Sequence, residues 1–178
     1  MGRVVNKTRR IALTALLASA ALASNYLLIG TANVKLMDLI VFTSGHLQGP
    51  ALGALTGALI WLVYGTLNPY GFSLPILLAT MLGETLYGLA GGLYKGSPST
   101  IRGFSFGLGA VGFLLTFLYD LSTNVVSGLT AGIPVVVALA TGAPFTLVHT
   151  VSNFLLFGFA FRPLNQSIRS VMNLEDQQ

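Results

Sequence analysis

TANVKLMDLIVFTSGHLQGPALGALTGALIWLVYGTL, residues 31–67, is the stretch whose reading decides the fold. It is apolar almost throughout, yet far longer than the ~20 residues that carry a helix across a ~30 Å hydrocarbon core. Gly45 and then Gln48-Gly49-Pro50 interrupt it, and a Gly-Pro pair is a strong reversal signal. The stretch therefore reads as a short span from about Thr31 to Leu47 and a second from Pro50 to Leu67. Outward from it, Ile11–Ile29 and Gly142–Phe161 carry no charge, Ser73–Tyr94 carries only Glu84, and Phe104–Val126 only Asp120. Each suits one crossing. The expectation is an all-α integral membrane protein, a compact bundle of six transmembrane helices over residues 11–161. A basic cytoplasmic tail at 1–10 precedes it and a cytoplasmic tail at 162–178 follows.

Composition points the same way. Of 178 residues, 53% are apolar and 8% charged, against roughly 25% charged in a soluble domain. Mean hydropathy is +0.78. Eight of the charged side chains lie within 1–10 and 162–178, so the remainder cannot cover the surface of a soluble globule, and a soluble enzyme is excluded. Cysteine is absent, which removes disulfides, thiolate metal sites and a Cys nucleophile. The net charge of +4 bears on orientation rather than on nucleic acid. With the N-terminus inside, six crossings place Arg3, Lys7, Arg9, Arg10, Lys95, Arg102, Arg162 and Arg169 on the inner side and only Lys35 outside. Merging 31–67 into one span would leave four inside and five outside. Both termini are thus expected to be cytoplasmic. The first residues resemble a signal peptide, with Ala21-Leu22-Ala23 as a cleavage pattern, but the apolar run continues through Ile29 and reads as a retained helix. Residues 127–141, with Gly128, Gly132 and Pro134, read as an outer loop holding an interfacial or re-entrant piece, and Pro144 as the entry to the last helix.

Small residues four apart mark close helix contacts: Gly49, Gly53 and Gly57 in the third helix, Gly88 and Gly92 in the fourth, Gly103 and Gly107 in the fifth. Ala15, Ser19 and Ala23 form such a stripe on the first helix, suited to a partner. A carboxylate at a helix centre costs ~2.5–3.5 kcal/mol on insertion scales, so Asp38, Glu84 and Asp120 should avoid lipid. Asn124 lies one turn beyond Asp120, and Asn153 one turn beyond His149. These groups converge on the outer half of the bundle, either lining a ligand cavity or satisfying one another. His149 reads as a packing residue before a metal ligand; no metal-ligand cluster and no cofactor are expected. There is no P-loop and no H-E-x-x-H, so neither ATP hydrolysis nor other catalysis by this chain is expected.

Several segments together are similar to the substrate-binding S components of energy-coupling-factor (ECF) vitamin transporters. They are Asn33-Val34-Lys35, the run from Gly49-Pro50 through Gly57-Ala58, Tyr119-Asp120 through Asn124, and Gly142-Ala143-Pro144-Phe145 through His149 and Asn153. The resemblance covers about residues 10–165. It implies a subunit in the plasma membrane of a prokaryote that captures a vitamin or related micronutrient from outside. It also implies docking on a membrane T component driven by two cytoplasmic ATPases. Docking in that family uses small residues of the first helix, here Ala15, Ser19 and Ala23. Family pockets are built where Asn68, Tyr70, Glu84, Asp120, Asn124, His149 and Asn153 stand in this chain. Met1-Gly2-Arg3 does not match the metal-importing relatives, so nickel and cobalt are disfavoured. Three carboxylates against one outer cation, Lys35, favour a neutral or cationic ligand, with Tyr70, Tyr119 or Trp61 to stack a ring. The alternative is a stand-alone, proton-coupled carrier using Glu84 and Asp120.

Overall fold

The computed structural model describes residues 7–67, 69, 71–96 and 100–172. They form six helices: α1 (Lys7–Leu27), α2 (Met37–Gln48), α3 (Pro50–Leu67), α4 (Leu74–Leu93), α5 (Phe106–Ala131) and α6 (Val135–Val171). All except α2 are long and apolar enough to cross a membrane. Leu55, Leu62, Leu82, Leu114, Phe117, Leu147 and Phe159 stand exposed along their outer faces. Hydrocarbon, not water, suits such a belt. The chain is a multi-pass, all-helical membrane protein.

The span expected from Thr31 is helical only from Met37. Asn33 adopts a left-handed backbone with φ of 51°, which a short amide side chain tolerates, and its Nδ2 donates to the Phe145 carbonyl at 3.0 Å. The helix that follows has 12 residues, about 18 Å at 1.5 Å each, too short to cross alone. It is buried from Met37 to Gly45 on every side, polar residues included, as a central helix is. Helices α1, α3, α4 and α6 pack around it.

Glycines let the backbones of α2, α3 and α4 meet. A Cβ on Gly45 would strike the Gly88 carbonyl, one on Gly88 the Gly53 backbone, and one on Gly91 the Phe42 carbonyl. The small-residue stripes of the third and fourth helices therefore act as intramolecular contacts. Gly103 and Gly107 do not: nothing lies within 4 Å of a Cβ at either. In α5 the close approaches are at Gly109 and Gly112, against Phe154 and Phe157 of α6.

The expected loop at 127–141 is mostly helix. Gly128 sits inside α5, where Ala138 of α6 packs against it, so it serves contact rather than breakage. The helix ends at Gly132, whose φ of 68° is the left-handed turn that closes a C-terminus, and Ile133 N–H donates to the Gly128 carbonyl at 3.0 Å. Pro134 caps the start of α6, and Pro144 lies within that helix rather than opening it.

The basic residues gather at one end. The Arg10 guanidinium donates to the Gln48 carbonyl, and that of Arg9 to the Met172 carbonyl. Arg162 donates to Thr100 Oγ1 at 3.0 Å. These contacts bring together the start of α1, the α2–α3 turn, the α4–α5 loop and the last part of α6. Lys35 is the one Lys or Arg among the described residues in the connections at the other end.

A buried carboxyl network beneath a cation-lined cavity

Asp38 lies in the first turn of α2, where the free backbone N–H groups favour a carboxylate. It is 1% exposed. His149, on α6 and fully buried, faces it with Nε2 2.7 Å from Asp38 Oδ2. The other ring nitrogen, Nδ1, is 3.0 Å from Asp120 Oδ1 on α5. One turn along α6, Asn153 Nδ2 donates to Asp38 Oδ2 at 2.6 Å and to Thr116 Oγ1 at 2.7 Å. Tyr87 of α4 also donates to Thr116 Oγ1, at 2.8 Å, while that hydroxyl donates to the Gly112 carbonyl. The network thus ties α2, α4, α5 and α6 together.

Proton counting fixes the charge of its centre. An imidazole with a carboxyl oxygen at each nitrogen needs two protons to make both hydrogen bonds. Either the ring is an imidazolium between two carboxylates, or it is neutral beside one carboxylic acid. The net charge of Asp38, His149 and Asp120 is −1 in both cases. Lys35 offsets it from above: its Nζ lies 4.8 Å from the Tyr119 ring centroid and 5.6 Å from that of Trp61. Such contacts hold an ammonium where hydration is incomplete. Trp61 Nε1 donates in turn to Glu84 Oε2 at 3.2 Å. Not every buried group is satisfied. Glu84 Oε1, Tyr119 Oη, Asp120 Oδ2 and Asn153 Oδ1 have no hydrogen-bond partner among the described residues.

A cavity of about 400 Å³ opens above this network. Its wall comes from Asn33 and Lys35 before α2, Trp61 and Tyr64 of α3, Phe72 and Ser73 before α4, and Thr80 of α4. None of the three carboxylates lines it; the charged group on its wall is the Lys35 ammonium. A second, mainly apolar groove of about 350 Å³ lies between α5 and α6 and includes Phe113, Phe117, Leu147 and Asn124.

The structure therefore divides the residues expected to share a pocket. Asp120, His149 and Asn153 come together through hydrogen bonds, and Glu84 joins them from α4 beside Trp61. Asn124, expected on the face of Asp120, turns to the outer groove, with Nδ2 3.3 Å from Thr146 Oγ1. Asn68 and Tyr70 lie outside the described residues. Thr80 is a participant that the sequence pattern does not suggest, while Asp38, Lys35 and Trp61, which it suggests only as general charge and ring surface near a ligand, take definite places. A signal for two of them was present: Lys35 and Asp38 stand three apart at a helix start, the one outer cation beside an intramembrane carboxylate.

On α1, Ala15, Ser19 and Ala23 are exposed, and Ser19 Oγ donates to the Ala15 carbonyl at 2.8 Å. The opposite face, with Leu13, Leu17 and Ala21, is buried against α2 and α3. Among the described residues no group of three His, Cys, Asp or Glu side chains is placed to hold a metal ion. The chain matches no family model, no curated protein and no solved structure.

Proposed function

We propose that this chain is the substrate-capture subunit of an ATP-driven importer of the energy-coupling-factor type, in the plasma membrane of a prokaryote. In this reading it crosses the membrane six times. The short α2, with the irregular segment before it, makes the second crossing, and both termini and the basic end face the cytoplasm. The cavity beside Lys35 and Trp61 then opens outward and takes a vitamin-like solute. The observation that carries the reading is this small cavity, walled by aromatic, hydroxyl, amide and ammonium groups at the end of the bundle away from the basic residues. A volume of about 400 Å³ falls within the ~300–1,000 Å³ usual for small-molecule sites. The open small-residue face of α1 supplies the second support. Ala15, Ser19 and Ala23 leave room for another helix to approach closely, which suits docking on a T component served by two ATPases.

A second reading, a stand-alone proton-coupled carrier, draws on the unpaired oxygens of Glu84 and Asp120 beside His149. Uptake into cells expressing the chain with and without its host's T component and ATPases separates the two. The importer reading expects solute uptake only with those partners, insensitive to a protonophore, and no ATP hydrolysis by the purified chain alone. It also expects Ser19→Leu and Ala15→Leu to abolish uptake while binding in detergent persists. Uptake by the chain alone that collapses with the proton gradient supports the carrier instead.

A further inference from the structure

Counting intramembrane charges in the sequence favours a neutral or cationic ligand, because three carboxylates face one cation. Their placement reverses that weighting. Asp38 and Glu84 are 1% and 0% exposed and Asp120 is 5% exposed, and none reaches the cavity wall. Asp38 Oδ2 is hydrogen-bonded to His149 and Asn153, and Asp120 Oδ1 to His149, while the unpaired Glu84 Oε1 and Asp120 Oδ2 are buried away from the cavity wall. A ligand ammonium entering the cavity would therefore meet no carboxylate, and would be repelled by Lys35.

Lys35 is the complementary case. Its ammonium is half-buried, lines the cavity and stacks on the rings of Tyr119 and Trp61. Stacking engages its charge but not its three N–H donors. Among the described residues no carboxylate forms an ion pair with it; the ion pairs there are those of His149 with Asp38 and Asp120. A partly desolvated ammonium that faces a cavity, and whose donors have no hydrogen-bond partner among the described residues, suits the charge-assisted hydrogen bonds of an anionic oxygen, even while its charge also offsets the network below. The rest of the wall describes the remainder of the ligand. Trp61 and Tyr64 stand edge to face with centroids 5.4 Å apart, are 8% and 7% exposed, and offer apolar ring surface. Asn33, Ser73 and Thr80 add neutral hydrogen-bonding groups around them. The wall carries one ammonium, so it has charged donors for one anionic group and none for a second.

We infer that the cavity binds a small planar molecule of one or two rings that carries a single carboxylate or equivalent anionic group, with that group on Lys35 and the ring against Trp61 and Tyr64. The inference rests on the reading of this cavity as the capture site, and refines its substrate class.

Three probes that share one ring system and differ in charge test it: indole-3-acetate, indole-3-acetamide and tryptamine. Their binding to the purified full chain in detergent is followed by titration calorimetry and thermal stabilisation. The acid should bind about tenfold or more tightly than the amide, and tryptamine weakest of all. Lys35→Met should erase the difference between acid and amide, and Lys35→Arg should keep most of it. Equal binding of acid and amide, tighter binding of tryptamine, or no binding by any of the three at millimolar concentration overturns the inference. The uptake experiment above fails or succeeds independently of it. An acid preference without ATPase-driven uptake leaves the charge assignment standing and removes the importer; driven uptake without an acid preference does the reverse.

Discussion

Asp38 Oδ2 is hydrogen-bonded to both His149 and Asn153, so its removal strands two buried polar groups at once. Asp38→Ala should lower stability by about 3–5 kcal/mol, the usual range for breaking a buried pair from one side. Asp120→Ala strips one contact from the ring, at 3.0 Å, and should cost about 1.5–3 kcal/mol. Asn124→Ala loses only a long bond to Thr146 in a partly open groove and should cost about 1 kcal/mol or less. Thermal unfolding of the three variants in one detergent gives the order, and an Asn124 variant as damaged as the Asp38 variant would contradict the network. At this scale the sequence exposes part of the site. Turn spacing groups His149 with Asn153, and the cost of a carboxylate in lipid brings Glu84 and Asp120 inward. It does not reveal Asp38 as the shared partner of His149 and Asn153, because these lie on a helix more than a hundred residues away. Nor does spacing separate Asn124 from Asp120: one turn apart is close enough to share a face, yet the α5–α6 contact decides which neighbour each meets.

Helix contacts explain which sequence signals were misleading. The run from Ser127 to Pro134 has the composition of a loop, but Gly128 is spent on contact with Ala138, and only Gly132 uses the left-handed backbone that ends a helix. Proline shows the same ambiguity: Pro134 precedes α6, whereas Pro144 sits inside it. Small-residue spacing reports close approach correctly at Gly53, Gly57, Gly88 and Gly92 and wrongly at Gly49, Gly103 and Gly107, since spacing does not show whether a neighbouring helix is there. The contrast is measurable. A Cβ at Gly88 meets the Gly53 backbone, which cannot move aside like a flexible side chain, so Gly88→Ala should destabilise by about 1–3 kcal/mol or more. A Cβ at Gly107 meets nothing within 4 Å, and alanine is the better helix former by up to about 1 kcal/mol, so Gly107→Ala should be neutral or stabilising. Unfolding midpoints of the two variants in detergent should therefore move in different directions. A Gly88 variant as stable as the parent would mean that α3 and α4 stand further apart than described.

The whole molecule poses the question of how often the chain crosses the membrane, and the answer turns on α2. Its 12 residues do not cross a bilayer alone, yet the tight turn at Gly49 makes it antiparallel to α3, and the segment from Leu28 to Leu36 leads into it from the far end of α1. Counted as a crossing, it gives six, and the described basic residues of the α4–α5 loop and of α6 fall on the same side as the start of α1. The contacts of Arg10 with Gln48 and of Arg162 with Thr100 agree with that common end. Without it there are five crossings, and Lys95, Arg102, Arg162 and Arg169 would lie on the outer side against the usual bias of Lys and Arg toward the cytoplasm. The absence of native cysteine makes the choice testable with single reporters. Thr31, Ile133 and Lys95 are all exposed, in the α1–α2, α5–α6 and α4–α5 connections. Six crossings with an inner N-terminus expect Thr31→Cys and Ile133→Cys to react with an impermeant maleimide added to intact cells, and Lys95→Cys to react only after permeabilisation. Five crossings expect Thr31→Cys and Lys95→Cys to react from outside and Ile133→Cys to be protected. The outward opening of the cavity depends on the same result, because Thr31 and Lys35 belong to one connection, and protection of Thr31→Cys in intact cells would turn the cavity toward the cytoplasm.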